Sequence, residues 1–150
     1  MRNLSLIWIS FLLVFFTMTV VFGEKPKMPA FDKMPKEYQD KHMPKGWWTD
    51  PKVITEGKKI YDGMVDPDVV CAACHGRDGR PLLTGTRDLR DAEYVNKMTD
   101  SYMFWRTAEG VPQTPMTPWK GKLKEDQIWK VIAYAHTFSH GGKAEEHIHK

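Results

Sequence analysis

The distribution of apolar residues divides the chain into four regions. Residues 4–22 contain no charged side chain and follow a single arginine at position 2. Residues 24–49 are rich in proline, lysine and methionine, with little apolar periodicity, whereas through 50–139 apolar residues recur at helical spacing. Residues 140–150 are mostly Gly, His, Glu and Lys. The pattern predicts one small helical domain, at 50–139, between two different appendages.

The domain is predicted to contain four helices, at 51–61, 92–98, 101–109 and 124–138. Asp50 followed by Pro51 is typical of a helix start, and Asp91 and Thr99 are suitable N-caps for the next two helices. Gly57 lies inside the first helix, where glycine costs about 1 kcal/mol relative to alanine. Close contact with another helix at this point would offset that cost.

The two cysteines of the chain lie three positions apart, in Cys71-Ala72-Ala73-Cys74, and His75 follows directly. This spacing is typical of covalent haem attachment, in which each sulfur bonds one vinyl group and the histidine ligates iron. A zinc site would need further ligands, and there is no second cysteine pair. A redox-active pair would open a helix after a strand, which this sequence does not predict. The motif predicts one covalent haem c, with His75 as an axial ligand.

The second axial ligand must come from elsewhere in the domain. Its methionines are Met64, Met98, Met103 and Met116. The first is too close to Cys71 in sequence, and the next two lie in aromatic helical stretches, where methionine usually fills a core. Met116 lies in a proline-stiffened loop, where a thioether loses little entropy on binding. It is the predicted ligand, with a histidine, His136 or His140, as the rival.

Four blocks of the domain together resemble a class I c-type cytochrome. They lie at 57–61, 71–76, 114–119 and 128–134, in the family's order of first helix, haem motif, methionine loop and last helix. The resemblance implies an all-α fold, a small helical domain wrapped around one covalently bound haem, in which the first and last helices cross near Gly57. It also implies that the Pro81 carbonyl accepts the His75 imidazole N–H and that Arg87 reaches a haem propionate.

The N-terminal stretch predicts export. A positive residue followed by an apolar run is typical of a secretory signal, whose core spans about 7–15 residues, whereas a membrane-spanning helix needs about 20. Residues 1–23 are therefore either a signal peptide cleaved after Gly23 or a retained membrane anchor. Both interpretations place the domain in the periplasm or an equivalent extracytoplasmic space, where haem c is attached.

Three interpretations are open for residues 24–49: a semi-rigid linker, a strap that grips a partner subunit, or a methionine-based copper(I) site. Their aromatic residues, Phe31, Tyr38, Trp47 and Trp48, favour the strap. Residues 140–150 are predicted to be a flexible tail. Metal binding by the tail histidines is the weakest interpretation, because a flexible tail offers no convergent geometry.

The formal net charge of +3 indicates no particular partner and gives no sign of nucleic-acid binding. The predicted function is that of an exported monohaem cytochrome. It would transfer single electrons between respiratory membrane complexes, or act as the cytochrome subunit of a larger redox assembly, without being an enzyme itself. Its partners would be a redox donor and acceptor, with membrane association through the N-terminus. The alternative is a haem enzyme, or a gas or redox sensor, with a labile sixth ligand.

Overall fold

The computed structural model describes residues 33–148, and within this range the chain forms helices and no β-strand. The helices are α1 Lys36–Gln39, α2 Pro51–Tyr61, α3 Ala72–His75, α4 Ala92–Val95, α5 Asp100–Glu109 and α6 Glu125–His136, which continues as a 3₁₀ turn, Thr137–His140. None of these described helices has the length and apolarity to cross a membrane. The signal or anchor predicted at 1–23, residues 24–32 of the strap and residues 149–150 lie outside the described range.

The helix starts follow the predicted capping pattern. The side chains of Asp50, Asp91 and Thr99 each accept a hydrogen bond from a backbone N–H in the first turn of the helix that follows. Helix α6 begins differently, because the Lys124 backbone N–H donates to Gln127 Oε1 at 2.9 Å. Three of the four predicted helices therefore begin at a residue whose side chain accepts hydrogen bonds from the free N–H groups of the first turn.

Helices α2 and α6 cross at Gly57, as the resemblance implied. A Cβ atom on Gly57 would lie 2.0 Å from the Lys130 carbonyl oxygen and 2.9 Å from Tyr134 Cβ. One turn further on, the Tyr61 ring meets the Tyr134 ring edge-on, with 5.3 Å between centroids. The absent side chain at Gly57 lets the two backbones touch, and this crossing is the frame on which the remaining helices pack.

Replacing Gly57 with alanine should destabilise the protein even though alanine favours helices. The propensity gain of about 1 kcal/mol is opposed by a clash with backbone, and overpacking of this kind costs about 1–3 kcal/mol or more. We expect a net loss of about 2 kcal/mol in the free energy of unfolding, measured by urea denaturation. Lys59→Ala, at an exposed position of the same helix, should change it by less than about 0.5 kcal/mol. Equal stability of the two variants would contradict the close crossing.

The described part of the strap, residues 33–49, packs onto the domain instead of standing apart from it. Tyr38, Met43 and Trp48 are buried in the same core as the helices. The Met43 backbone N–H donates to Asp100 Oδ2 at 2.9 Å, and Ser101 Oγ lies 2.8–2.9 Å from two strap carbonyls. A free linker, one of the three interpretations of residues 24–49, would not make these contacts. The aromatic residues of the strap complete the protein's own core, which removes their apolar surface from water.

The tail, predicted to be flexible, contacts the domain through Glu146 and His147. Thr49 Oγ1 lies 3.1 Å from Glu146 Oε1, and a ring nitrogen of His147 lies 2.7 Å from the Met98 carbonyl oxygen. The Trp48 and His147 rings pack with their centroids 5.1 Å apart. The end of the strap and the tail therefore meet beside the end of α6.

Candidate haem site

A cavity of about 360 Å³ lies between the haem motif, α5, the loop at 110–118 and α6. Most of its wall is apolar, as a flat macrocycle requires. The wall includes five of the residues singled out from the sequence: Cys71, Cys74, His75, Arg87 and Met116. Pro81 is not part of it. The structure thus brings the predicted attachment residues and the predicted axial ligands to one space.

The haem motif forms the single helical turn α3. The His75 backbone N–H donates to the Cys71 carbonyl at 2.9 Å, so that both thiols and the imidazole follow one another around one turn. Burial raises the pKa of the Cys71 thiol to about 12. A redox-active cysteine instead has a lowered pKa and a reactive thiolate. The environment of Cys71 therefore favours covalent attachment over dithiol chemistry.

The His75 ring is oriented by a backbone carbonyl. Its Nδ1 lies 3.2 Å from the carbonyl oxygen of Arg87, and because a carbonyl only accepts, Nδ1 carries the proton and Nε2 is left with its lone pair. Burial lowers the pKa of His75, which keeps the ring neutral for metal binding. The prediction that Pro81 supplies this carbonyl differs from the structure. The chain at 85–87 lines the cavity beside His75, and Pro81 does not.

The methionine loop is closed by short-range contacts. The Val111 backbone N–H donates to the Met116 carbonyl at 3.0 Å, and the Ala108 carbonyl accepts from both residues 119 and 120. Gly110 has φ +69°, and a Cβ there would lie 2.4 Å from the Met116 carbonyl oxygen. Because the loop is closed in this way, Met116 is presented to the cavity by a stiff support.

The rival ligands have different positions. Met98 and Met103 also line the cavity, whereas Met64 is 71% exposed and is not on its wall. His136 lines the cavity but its Nε2 faces two other histidine rings, at 3.2 and 3.0 Å. His140 is not on the wall. Met116 is therefore the ligand candidate that the loop presents to the cavity, whereas His136 and His140 contact each other.

Sequence reasoning missed Arg106, which lies on the cavity wall in α5. Its guanidinium packs 3.3 Å from the centroid of the Trp105 ring, and its Nε is buried without a hydrogen-bond partner among the described residues. Arg87 also lines the cavity, with its guanidinium 3.6 Å from the Tyr94 ring. An arginine directly after a run that contains Tyr102, Phe104 and Trp105 was the available signal. A cationic donor with spare capacity beside an apolar cavity fits the carboxylates of a haem.

Residues 52–134 match the family model described as "Cytochrome C oxidase, cbb3-type, subunit III". The match spans more than half of the chain. The chain belongs to this family. Membership identifies it as a c-type cytochrome of class I, which binds haem c and transfers electrons. No curated protein matches the chain.

Several solved structures are similar to this chain. Cytochrome cL from the marine methylotrophic bacterium Methylophaga aminisulfidivorans MPT is 23% identical, with a TM-score of 0.50 over 61% of this chain and 59% of that one. A "KustC0563 c-type cytochrome" is 30% identical, with a TM-score of 0.47 over 55% and 95% of the two chains. Cytochrome cL from Hyphomicrobium denitrificans is 24% identical, with a TM-score of 0.47 over 69% and 62%. The first of these likenesses supports the all-α cytochrome fold.

Acid should destabilise this cytochrome through His136. Burial, and then the neighbouring His147 and His140 rings, lower the pKa of His136 from 6.5 to about 3. Between these values the unfolded chain binds a proton that the folded protein does not, so stability is fully present above pH 6.5 and is lost as pH falls. We expect a loss of about 3 kcal/mol in the free energy of unfolding between pH 7 and pH 4 from this residue. Urea denaturation at both pH values should show that His136→Gln loses less unfolding free energy on acidification than the wild type does. His42→Gln, at an exposed position, should lose as much as the wild type.

Proposed function

We propose that this protein is an exported monohaem cytochrome that transfers single electrons. It would carry them between respiratory membrane complexes, or would do so as the cytochrome subunit of a larger redox assembly. The observation that carries the proposal is the meeting of both thiols, the His75 ring and Met116 on the wall of one cavity. The bound haem would supply an iron that accepts and releases one electron. The chain supplies everything else.

Each proposed site residue has a distinct task. Cys71 and Cys74 would hold the group by thioether bonds, and His75, oriented by the Arg87 carbonyl, would ligate the iron through Nε2. Met116 would be the second protein ligand, presented by its closed loop. Arg87 and Arg106 would stabilise the propionate charges, since guanidinium groups pair well with carboxylates. With His75 and Met116 both bound to the iron, the group would supply electron transfer and would offer no position for a substrate.

Electrons would enter where the cavity meets solvent. The exposed segment 112–115 contributes to the cavity wall, and residues 82–85 are exposed beside the wall segment 85–87. Neither 82–86 nor 111–118 contains a charged residue. Leu82 and Leu83 are 65% and 47% exposed. An uncharged rim of this kind suits brief contacts with redox partners through apolar surface.

The setting of the protein follows from its N-terminal sequence. A positive residue and an uncharged run at 4–22 support export, with the chain either cleaved or anchored in the membrane. The family description, an oxidase subunit, supports a role within a respiratory assembly. Purification in mild detergent, followed by identification of the co-purifying proteins, would separate a fixed subunit from a mobile carrier.

The competing class is a haem enzyme or a gas or redox sensor with a labile sixth ligand. The test is to expose the reduced wild-type protein to carbon monoxide at neutral pH and to record its absorption spectrum and voltammogram. A carrier should show a reversible one-electron wave and no carbon monoxide adduct while folded. Rapid adduct formation without unfolding would overturn the carrier proposal in favour of the sensor or enzyme.

A further inference from the structure

Three side chains form a clamp at the base of the methionine loop: Tyr38, Glu109 and Lys120. The Tyr38 hydroxyl donates to Glu109 Oε1, and Lys120 Nζ lies 3.2 Å from the same hydroxyl and 3.0 Å from the same carboxylate oxygen. Glu109 is the last residue of α5, and Lys120 follows the loop at 110–119. Each member of the clamp thus contacts the other two, and two of them flank the loop that carries Met116.

The strap holds Tyr38 in place independently of the loop. Tyr38 is 4% exposed, and its ring packs on the Phe104 ring of α5 with 6.1 Å between centroids. Ser101 Oγ lies 2.9 Å from the Gln39 carbonyl oxygen, which fixes the backbone next to Tyr38. The hydroxyl therefore reaches Glu109 from a rigid support, so that little side-chain entropy is lost in making the contact.

The charges of the clamp favour its closed arrangement. The hydrogen bond from Tyr38, and then that from Lys120, lower the pKa of Glu109, so its carboxylate is ionised at neutral pH. An exposed ion pair contributes little by itself, and the Lys120 and Glu109 side chains are 63% and 37% exposed. A hydrogen bond from a buried hydroxyl to an ionised carboxylate is roughly twice as strong as a neutral one. The Tyr38 hydroxyl is therefore the group whose loss should matter most.

The clamp ties together the same two chain ends that the backbone contacts of the loop join. The Ala108 carbonyl accepts from the backbone N–H groups of Trp119 and Lys120, at 3.0 and 2.9 Å, and the Val111 N–H donates to the Met116 carbonyl. Separating the two ends would break the bonds to Ala108 and remove the support behind Met116. The clamp opposes that separation through side chains.

We propose that Tyr38 is a positioning residue for Met116. Through the clamp, the strap holds the methionine loop closed and keeps the thioether at the cavity wall. The inference rests on the proposed electron-carrier function, in which Met116 ligates the haem iron. Contacts that orient a metal ligand from outside also tune the metal that it binds. Tyr38 lies outside residues 52–134, the part that matches the family model, so this support comes from the segment that precedes the domain.

A purely structural role for Tyr38 would have a different signature. Loss of core packing lowers the stability of the whole domain, whereas loss of the hydroxyl alone frees a local segment. Tyr38→Phe keeps the ring on Phe104 and removes the donor to Glu109. Its effect should therefore be larger in the methionine loop than in global unfolding.

The first test is amide hydrogen exchange of the purified holoprotein, followed by NMR. In Tyr38→Phe the backbone N–H groups of Val111 and Trp119 should exchange about tenfold faster than in the wild type, as the loss of one hydrogen bond to a charged group predicts. Lys41→Gln removes a different contact of the strap, the 2.7 Å pair with Glu125 of α6. This control should leave both exchange rates unchanged.

The second test follows the sulfur-to-iron absorption band of the oxidised holoprotein and its far-ultraviolet circular dichroism during heating. Tyr38→Phe should widen the gap between the temperature at which the band is lost and the temperature at which helicity is lost. Gly57→Ala lowers global stability without touching the clamp, so it should lower both temperatures together. In a Glu109→Ala background, Tyr38→Phe should add little to loop exchange, because both changes act on one contact.

Loop exchange rates and band temperatures in Tyr38→Phe equal to those of the wild type would overturn the inference. Loop exchange that rises equally in Tyr38→Phe and Gly57→Ala would also overturn it, because the effect would then be global. Either result leaves the proposed function intact if the wild type gives a reversible one-electron wave and Met116→Ala loses the band. Absence of any such wave in the wild type would refute the proposed function, and this inference with it.

Discussion

Replacing both Cys71 and Cys74 with alanine should leave a colourless and largely unfolded chain. The cavity of about 360 Å³ lies inside the domain and is lined by residues of its core. Emptying it would cost on the order of several kcal/mol. That is a large share of the roughly 5–15 kcal/mol by which a typical domain is stable. The covalent bonds also keep the haem from dissociating.

The measurements are intact mass, the pyridine haemochrome spectrum and far-ultraviolet circular dichroism after export in a host that attaches haem c. Each single variant should retain at most one thioether bond. Ala73→Ser, at the exposed position between the two cysteines, is the matched control and should retain haem and helicity. A double alanine variant with a cooperative thermal transition like that of the wild type would show that haem does not complete the core.

Met116→Ala should open the sixth coordination position. We expect loss of the weak sulfur-to-iron absorption band of the oxidised protein and a new carbon monoxide adduct of the reduced one. The potential should fall by on the order of 100 mV, a modest part of the roughly 0.8 V over which axial ligands tune haem. The loop should keep its shape, because its closure depends on backbone contacts with Val111 and Ala108 and not on the thioether.

The other methionines on the cavity wall are the natural controls. Met98→Leu and Met103→Leu remove sulfur from the same cavity with little change in volume, and both should keep the absorption band and the potential. If the band survives in Met116→Ala and is lost on replacing Met98, Met103, His136 or His140, then the ligand assignment is wrong.

The tail makes contacts that its composition did not indicate. His147 contacts His136, and its other nitrogen reaches the Met98 carbonyl, 49 positions earlier in the chain. Trp48, from the strap, covers both rings. The two segments that flank the cytochrome domain therefore meet at His136, which lines the cavity.

Features encoded within a few residues were determined by the sequence alone. The caps at Asp50, Asp91 and Thr99 depend on a side chain and an N–H two or three residues away. The haem motif depends on five consecutive residues, and the helical spacing of apolar residues predicted α2, α5 and α6 to within one or two positions. Each of these signals is read from one stretch of chain, because its chemistry is complete within that stretch.

Only the tertiary structure decided which residues far apart in the sequence contact each other. Which carbonyl orients His75 depends on how the chain at 85–87 returns across the cavity, so Arg87 and not Pro81 is the partner. The packing of residues 33–49 onto α5 joins positions 57–62 residues apart, and the sequence carries no record of that contact. Burial in a shared core selects such contacts, because apolar rings leave water only when distant segments pack together, and a polar group buried there is destabilising unless it finds a partner.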